Sequence, residues 1–149
     1  MSLSKNATLL LNETIKVAKG VIPLDVKAGK PFLMQAPVWQ NHYGVIIGVL
    51  GDLKGRLIIE STEDVIKQVA ERMFGMPVEG EMLASFFGEL GNMIGGNLCT
   101  SIYNEGVKLD ITPPTVMVGQ VSLHGFKTAL RLPLLIEGEE KMYITLAIE

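Results

Sequence analysis

Two polar side chains, Glu89 and Asn92, lie three residues apart in a segment whose apolar residues otherwise recur with a helical period. At about 100° per residue, a helix places the two within about 60° of each other, so both can act on one ligand. A carboxylate can pair with a cation, and a carboxamide can hold a water molecule although it is no base at neutral pH. The same pair also suits an ordinary solvated helix face, so spacing alone does not establish a catalytic site.

Small residues surround this pair on the same predicted side of the helix. They are Ser85, Gly88, Gly95, Gly96 and Cys99. Because each glycine costs a helix interior about 1 kcal/mol relative to alanine, their presence favours a close approach to this backbone. We interpret Ser85 and the three glycines as a low surface on which another macromolecule can bind. The alternative is that the glycines allow close packing against a neighbouring helix of the same chain.

The elements that must position the pair follow from periodicity and from helix-terminating glycines. A long helix is predicted over residues 79–104, and two further helices over 4–19 and 63–74, the latter ended by Gly75. Extended segments are predicted over 22–36 and 107–119, and hairpins over 42–62 and 127–149.

The two halves of the chain resemble each other. Residues 9–26 align with 94–111 at an offset of 85 in the numbering (94 − 9), which matches Asn12 with Asn97 and Asp25 with Asp110. Each half then continues as an extended strand and a hairpin. We therefore predict one domain, 1–149, of the α+β class, in which two similar α-β-β-β halves form one antiparallel sheet with long helices packed on it.

Composition excludes several classes of function. With 13 basic and 16 acidic residues and a net charge of −3, the 149-residue chain has no basic footprint for nucleic acid. The N-terminal segment lacks the pattern of a signal peptide, and the longest apolar stretch, 43–51, is too short to span a membrane as a helix. A single cysteine excludes an internal disulfide. We expect a cytoplasmic protein that contacts no membrane.

Other catalytic constellations are not supported. His42 and His124 are far apart in sequence, and with Cys99 they form no zinc pattern. Ser122 is near His124, but no acid stands at a telling position for a hydrolase triad. The glycines lie inside a predicted helix rather than at a strand-to-helix turn, so they are no dinucleotide fingerprint.

The segment "SFFGELGNMIGGN" resembles the helix motif of the CheC/CheX/FliY phosphatases of bacterial chemotaxis. Ser85, Glu89 and Asn92 fit that motif in type and spacing, and Pro113 and Pro114 follow Asn92 at 21 and 22 positions, slightly short of the family's usual proline. The resemblance covers nearly the whole chain and implies a pseudo-twofold CheC-like fold.

The resemblance also implies how many sites the chain carries. In the first half, the same offset places Ser4 and Ala7 opposite Glu89 and Asn92 (89 − 85 and 92 − 85), and neither can replace them. The chain is thus similar to the CheX-type members, which have one site, whereas CheC-type members have two. CheX-type members form homodimers, and a homodimer is therefore expected.

The family removes the phosphoryl group from the phospho-aspartate of a CheY-like response regulator. By resemblance, Asn92 orients the attacking water and Glu89 anchors to the active-site lysine of the regulator. No cofactor of the chain's own is expected, and Mg²⁺ is expected to come from the regulator. The alternatives are a non-catalytic adaptor of the same fold that binds receiver domains and, with less support, a small-ligand sensor.

Overall fold

The structure is a computed structural model that describes residues 5–35, 38–40, 42–126 and 128–148. Its helices in these residues are α1 (Lys5–Val21), α2 (Glu63–Phe74) and α3 (Glu81–Tyr103). Its strands in the same residues are β1 (Val26–Ala28), β2 (Phe32–Gln35), β3 (Val38–Gln40), β4 (Tyr43–Gly51), β5 (Gly55–Ser61), β6 (Leu109–Ile111), β7 (Thr115–Val118), β8 (Val121–Leu123), β9 (Thr128–Ile136) and β10 (Glu139–Ile148). None of the helices in this part of the chain combines the length and apolarity needed to cross a bilayer.

The three helices occur where the sequence predicts them. Helix α2 has the predicted bounds and ends at Gly75, whose φ of 71° suits a residue without a Cβ atom. The ends of α1 and α3 agree with the prediction to within about two residues, the usual uncertainty of a helix end. Position 4, the predicted start of α1, lies outside the described residues.

The main sheet is antiparallel, with strand order β1-β9-β10-β5-β4-β6 among the described residues. Strand β2 also pairs with β9, and β7 also pairs with β4, so each edge of the sheet carries two short strands that follow one another along the same long strand. Strands β3 and β8 form a separate antiparallel pair. An antiparallel sheet with helices packed on it confirms the predicted α+β class.

Two pairs of residues lie where a pseudo-twofold axis would cross the molecule. Ile59 of β5 pairs with Ile144 of β10, and Trp39 of β3 pairs with Ser122 of β8. The two members of each pair differ in number by 85 (144 − 59) or by 83 (122 − 39). These differences equal the offsets between corresponding strands of the two halves, so each pair joins equivalent positions. The pairing therefore agrees with the predicted internal symmetry.

The structure also corrects details of the repeat. The offset from β1, β2 and β3 to β6, β7 and β8 is 83 in the numbering (109 − 26 for the first pair), whereas the offset from β4 to β9 is 85 (128 − 43). At the first strand, Asp25 thus corresponds to Lys108 rather than to Asp110. Among the described residues, each half contains a helix and five strands rather than three. One extra strand arises because the extended segments break at residues 29–31 and 112–114, where prolines and a glycine interrupt pairing, and the other, β3 or β8, lies beyond the predicted extended segments.

The principal core lies between the helices and one face of the sheet. Inward-pointing residues of the central strands, such as Ile47, Ile59, Leu132 and Ile144, are fully buried there. A smaller cluster around Ile58 lies on the opposite face of the sheet. Helix α3 packs on α1, α2 and strands β4, β6 and β7, so it is held from several sides.

Candidate active site on helix α3

Helix α3 has one enclosed side and one accessible side. Its buried residues are Leu83, Phe86, Phe87, Gly88, Leu90, Gly91, Ile94, Gly95, Leu98 and Ile102. Ser85 and Glu89 are exposed, and Asn92 and Gly96 are half-buried. The helix therefore presents an acid and an amide on the side that faces away from the core.

Glu89 and Asn92 are both available for a ligand. Among the residues that the structure describes, neither side chain has a hydrogen-bond or ion-pair partner. The carboxylate keeps its oxygens for an incoming cation, and the amide keeps two donors and one acceptor. Ser85, one turn before Glu89, adds a small hydroxyl on the same side. These three residues are brought together on one exposed surface, and their catalytic role remains a proposal.

The structure corrects the expected placement of Gly88 and Gly95 on this surface. Both are buried against the sheet: a Cβ atom built on Gly88 would lie 2.9 Å from Cγ2 of Val116, and one on Gly95 would lie 3.2 Å from Cδ1 of Ile111. Gly96 differs, because a Cβ atom there would have no neighbour within 4 Å. Of the three glycines assigned to the accessible surface, only Gly96 belongs to it.

Gly91 shows what the buried glycines do. A Cβ atom at this position would lie 2.7 Å from Cγ1 of Val45, closer than real Cβ atoms come to a neighbour. The glycines thus allow close packing within the chain, as one interpretation of the sequence held, although the surface they approach is the sheet and not a helix. Because α3 contacts both the sheet and α1, more of its circumference is buried than its large apolar residues alone would indicate. The glycines beside these apolar residues are therefore buried as well.

The loop with Pro113 and Pro114 lies between β6 and β7, which both pair with β4 and contact α3. Thr112 fixes the start of this loop: its Oγ1 accepts a hydrogen bond of 2.8 Å from the Gly48 N–H, and its own N–H donates one of 3.0 Å to the Gly48 carbonyl. The prolines thus lie between two strands that contact the motif helix, and their functional role stays a prediction.

Other groups with reactive side chains offer no second catalytic centre in the described residues. Burial raises the pKa of the Cys99 thiol, and the negative charge of Asp110 raises it further, so the thiol is a poor nucleophile at neutral pH. Ser122 Oγ lies 3.2 Å from His124 Nε2, but no described carboxylate bonds to His124. No group of three His, Cys, Asp or Glu residues in the same ranges is arranged to hold a metal ion.

An apolar groove adjoins the motif and was not foreseen from the sequence. We call it the methionine groove: it is lined by Met73 and Phe74 at the end of α2, Met76 in the following loop, and Met82 and Met93 on α3. Its volume is about 910 Å³, and Ser85 and Glu89 form part of its wall. The dense run of methionines in residues 73–82 was the signal, but only the packing of α2 on α3 shows that they share one surface.

Comparison with known proteins supplies the family. Residues 43–123 match the family model described as "Chemotaxis phosphatase CheX". The CheY-P phosphatase CheX of Thermotoga maritima is 31% identical over 144 residues, covering 94% of this chain and 93% of that protein.

Solved structures agree with the fold. The chemotaxis protein CheX from Desulfovibrio desulfuricans superposes with a TM-score of 0.79 over 98% of this chain and 100% of that one, at 16% identity, a level that shows the fold alone. The structure of a CheX–CheY–BeF3–Mg²⁺ complex from Borrelia burgdorferi gives a TM-score of 0.76 at 25% identity over 96% and 97% of the two chains. The family model spans over half of the sequence and the Thermotoga relative nearly all of it, and this chain therefore belongs to the CheX family of chemotaxis phosphatases.

Proposed function

We propose that this protein hydrolyses the phospho-aspartate of a CheY-like response regulator, with Asn92 and Glu89 of α3 as the residues that act on the partner. The observation that carries the proposal is an exposed acid beside a half-buried amide, neither with a partner in the described residues, on a helix packed firmly on the sheet. Two relatives support the choice of substrate: the Thermotoga protein is named as a CheY-P phosphatase, and the Borrelia complex contains CheY.

The reaction consumes one water molecule and transfers a phosphoryl group to it. The oxygen of the water bonds to phosphorus while the bond from phosphorus to the aspartate oxygen breaks, and the bonding electrons remain on the aspartate carboxylate. One proton of the water passes to the released phosphate. Because this transition state needs little covalent help, the main contributions of a protein are position and compensation of charge.

Asn92 orients the attacking water in this proposal. Its amide oxygen accepts a hydrogen bond from the water, and its N–H group donates one to a nearby oxygen, so the water lies in line with the scissile bond. A carboxamide stays neutral at physiological pH and therefore acts by position rather than as a base. Water placement of this kind accounts for several kcal/mol of the barrier, and each reduction of about 1.4 kcal/mol raises the rate about tenfold.

Glu89 holds the partner in place through a charge-assisted hydrogen bond to a lysine of the regulator. Ser85 and Gly96 form the low surface beside it, and Gly96 admits close approach because, apart from its sequence neighbours and the nearby helix backbone, no described atom lies within 4 Å of where its Cβ would be. Mg²⁺ comes from the regulator, in keeping with its presence in the Borrelia complex, and offsets the phosphoryl charge.

The proposal is tested by the decay of a phosphorylated CheY from the same genome, with and without this protein. We expect Asn92→Ala to lower the accelerated rate about a hundredfold, because a misplaced attacking group costs about that factor. The matched control is Asn12→Ala, the same change at an exposed position of α1, which leaves the rate unchanged. Glu89→Gln is expected to raise KM, since the amide no longer pairs with a cation.

The alternative of a non-catalytic adaptor predicts a different result. If the wild type and Asn92→Ala both bind the regulator and neither changes its decay, the chain is a binding module and the enzymatic proposal is wrong. The homodimer implied by the family resemblance and the cytoplasmic location expected from composition remain predictions.

A further inference from the structure

The methionine groove is a surface of unusually high apolar exposure. Phe74, Met76 and Met82 are 59%, 61% and 70% exposed, and Met73 is 37% exposed beside them. Isolated exposed apolar residues are common, but several large ones around one concavity mark a binding surface. Four of the eight methionines of the chain line this groove.

The walls of the groove are held by ordered packing. The ring of Phe74 meets the ring of buried Phe86 edge to face, with centroids 5.5 Å apart, which ties the end of α2 to α3. The connecting loop turns at Gly75 and Gly80, whose φ angles of 71° and 64° lie in the left-handed region, and buried Val78 anchors it. The groove is therefore a formed feature of the fold.

The groove is continuous with the surface of Glu89 and Asn92. Glu89 and Ser85 belong to its wall, and Met93 follows Asn92 directly along α3. A partner that reaches Asn92 and also contacts Ser85 and Glu89 touches the wall of the groove. A specific interface buries about 800 Å² on each partner, far more than two polar side chains supply, so the neighbouring apolar surface is needed for affinity.

The chemistry of the lining limits what binds there. The described residues of the lining include two carboxylates, those of Glu81 and Glu89, and no cationic side chain. An apolar centre with an acidic margin is complementary to an apolar patch flanked by lysine or arginine. Methionine side chains are flexible and polarizable, so they adapt to partners whose apolar residues differ in shape.

We propose that the methionine groove receives an apolar patch, flanked by basic residues, on the same response regulator whose phospho-aspartate lies at Asn92, and that this contact selects the regulator. The inference rests on the proposed function, because the occupant is defined by its phosphorylated site. A second copy of this chain is the competing occupant. It would cover Ser85 and Glu89 and so block the regulator, which makes the regulator the better fit to a continuous surface.

The test uses the double variant Met76→Gln/Met82→Gln. Both side chains are largely exposed and glutamine is close to methionine in length, and at Met82 on α3 it also has a similar helix propensity, so the fold is retained. The matched control is Leu50→Gln, which changes an exposed apolar residue of β4 outside the groove. Each protein is assayed over a range of concentrations of phosphorylated CheY from the same genome, after circular dichroism has verified the fold.

We expect the double variant to raise KM for the phosphorylated regulator about tenfold while kcat is unchanged, because the lost contacts are made equally in the bound and transition states. The control keeps both constants. An unchanged KM in the double variant overturns the groove proposal. A changed oligomeric state with unchanged KM also overturns it, in favour of a second copy as the occupant.

The groove and the catalytic proposal are separated by a binding measurement. The dissociation constant for CheY loaded with beryllofluoride and Mg²⁺ is measured for the wild type, the double variant and Asn92→Ala. Weaker binding by the double variant alone supports the groove even if no protein accelerates phosphate release, an outcome that would refute the catalytic proposal. Equal binding by all three, with activity lost only in Asn92→Ala, refutes the groove and leaves catalysis intact.

Discussion

Replacing Gly91 by alanine tests why the motif helix contains buried glycines. The added methyl group would lie 2.7 Å from Cγ1 and 3.2 Å from Cβ of Val45, and Val45 is completely buried on the central strand β4. Val45 cannot easily turn aside, since a β-branched side chain is stiff about χ1. The helix must then move away from the sheet by several tenths of an ångström.

The expected magnitude follows from two opposing terms. Overpacking of a well-filled core costs about 1 to 3 kcal/mol, and alanine returns about 1 kcal/mol through its better helix propensity. We therefore expect Gly91→Ala to lower the free energy of unfolding by about 1 kcal/mol. Gly96→Ala meets no atom within 4 Å, so the same propensity gain is unopposed and raises the free energy of unfolding by about 0.5 to 1 kcal/mol.

Urea denaturation and thermal unfolding, each followed by far-UV circular dichroism, measure the difference in the free energy of unfolding and in Tm. The two variants have the same change of residue on the same helix, so propensity cancels in their comparison and the contact with Val45 remains. For a domain of about 150 residues, the expected difference in Tm is about 4 to 8 °C. If Gly91→Ala proves as stable as Gly96→Ala, the glycine does not serve close packing on the sheet and the structural explanation is wrong.

Two further predictions concern stability away from the site. Arg131 and Glu60 form a largely buried ion pair with an Nη1–Oε1 distance of 2.8 Å. Arg131→Met leaves Glu60 unpaired and is expected to lower the free energy of unfolding in urea by about 3 kcal/mol, whereas Glu60→Leu/Arg131→Met recovers most of that loss. An equal loss in the double variant would contradict this explanation. The hydrogen bond from Lys141 lowers the pKa of Asp64, so this contact stabilises the fold above the unfolded-state pKa of about 3.9 and is lost as the pH falls through the lower folded-state value. Asp64→Asn is therefore expected to lose less stability than the wild type between about pH 4 and pH 2. The difference between the two is small because Asp64 is half exposed. Identical profiles of stability against pH would refute the assignment.

The sequence predicted the elements that are long enough to show apolar periodicity and missed those that depend on tertiary pairing. Helix α2 and the two hairpins follow from apolar periodicity and turn residues, and the Glu-Asn spacing located the candidate site. Strands such as β1 and β6 have three residues each, too few to show alternation, and exist because they pair along β9 and β4. The methionine groove depends on α2 packing against α3, which no local pattern records.

The placement of Gly88 and Gly95 was wrong for a related reason. A helical wheel gives the direction of a side chain but not how much of the helix its neighbours enclose. Val116 and Ile111 belong to β7 and β6, the short strands at the edge of the sheet, which reach the flank of α3 that the sequence assigned to solvent. Once these strands are paired with β4, the glycines at the margin are buried.

The residues of the two equivalent helices explain why this nearly symmetric scaffold carries the candidate site on α3 and not on α1. With an offset of 83, the positions equivalent to Glu89 and Asn92 are Asn6 and Leu9, and with an offset of 85 they are Ser4 and Ala7, so neither comparison gives an acid and an amide. Helix α3 packs on β4, β6 and β7, whereas the main contacts of α1 are with α3 and β1.

In the proposed mechanism, the buried glycines contribute by an indirect route. An in-line attack on phosphorus loses about a hundredfold in rate when the reacting groups are misplaced by about 1 Å. Gly88, Gly91 and Gly95 let the backbone of α3 rest directly on the side chains of the sheet, which fixes the height and direction of the exposed face above it. In the proposed mechanism, close packing beneath the helix is what gives Asn92 a defined position towards the partner's phosphoryl group.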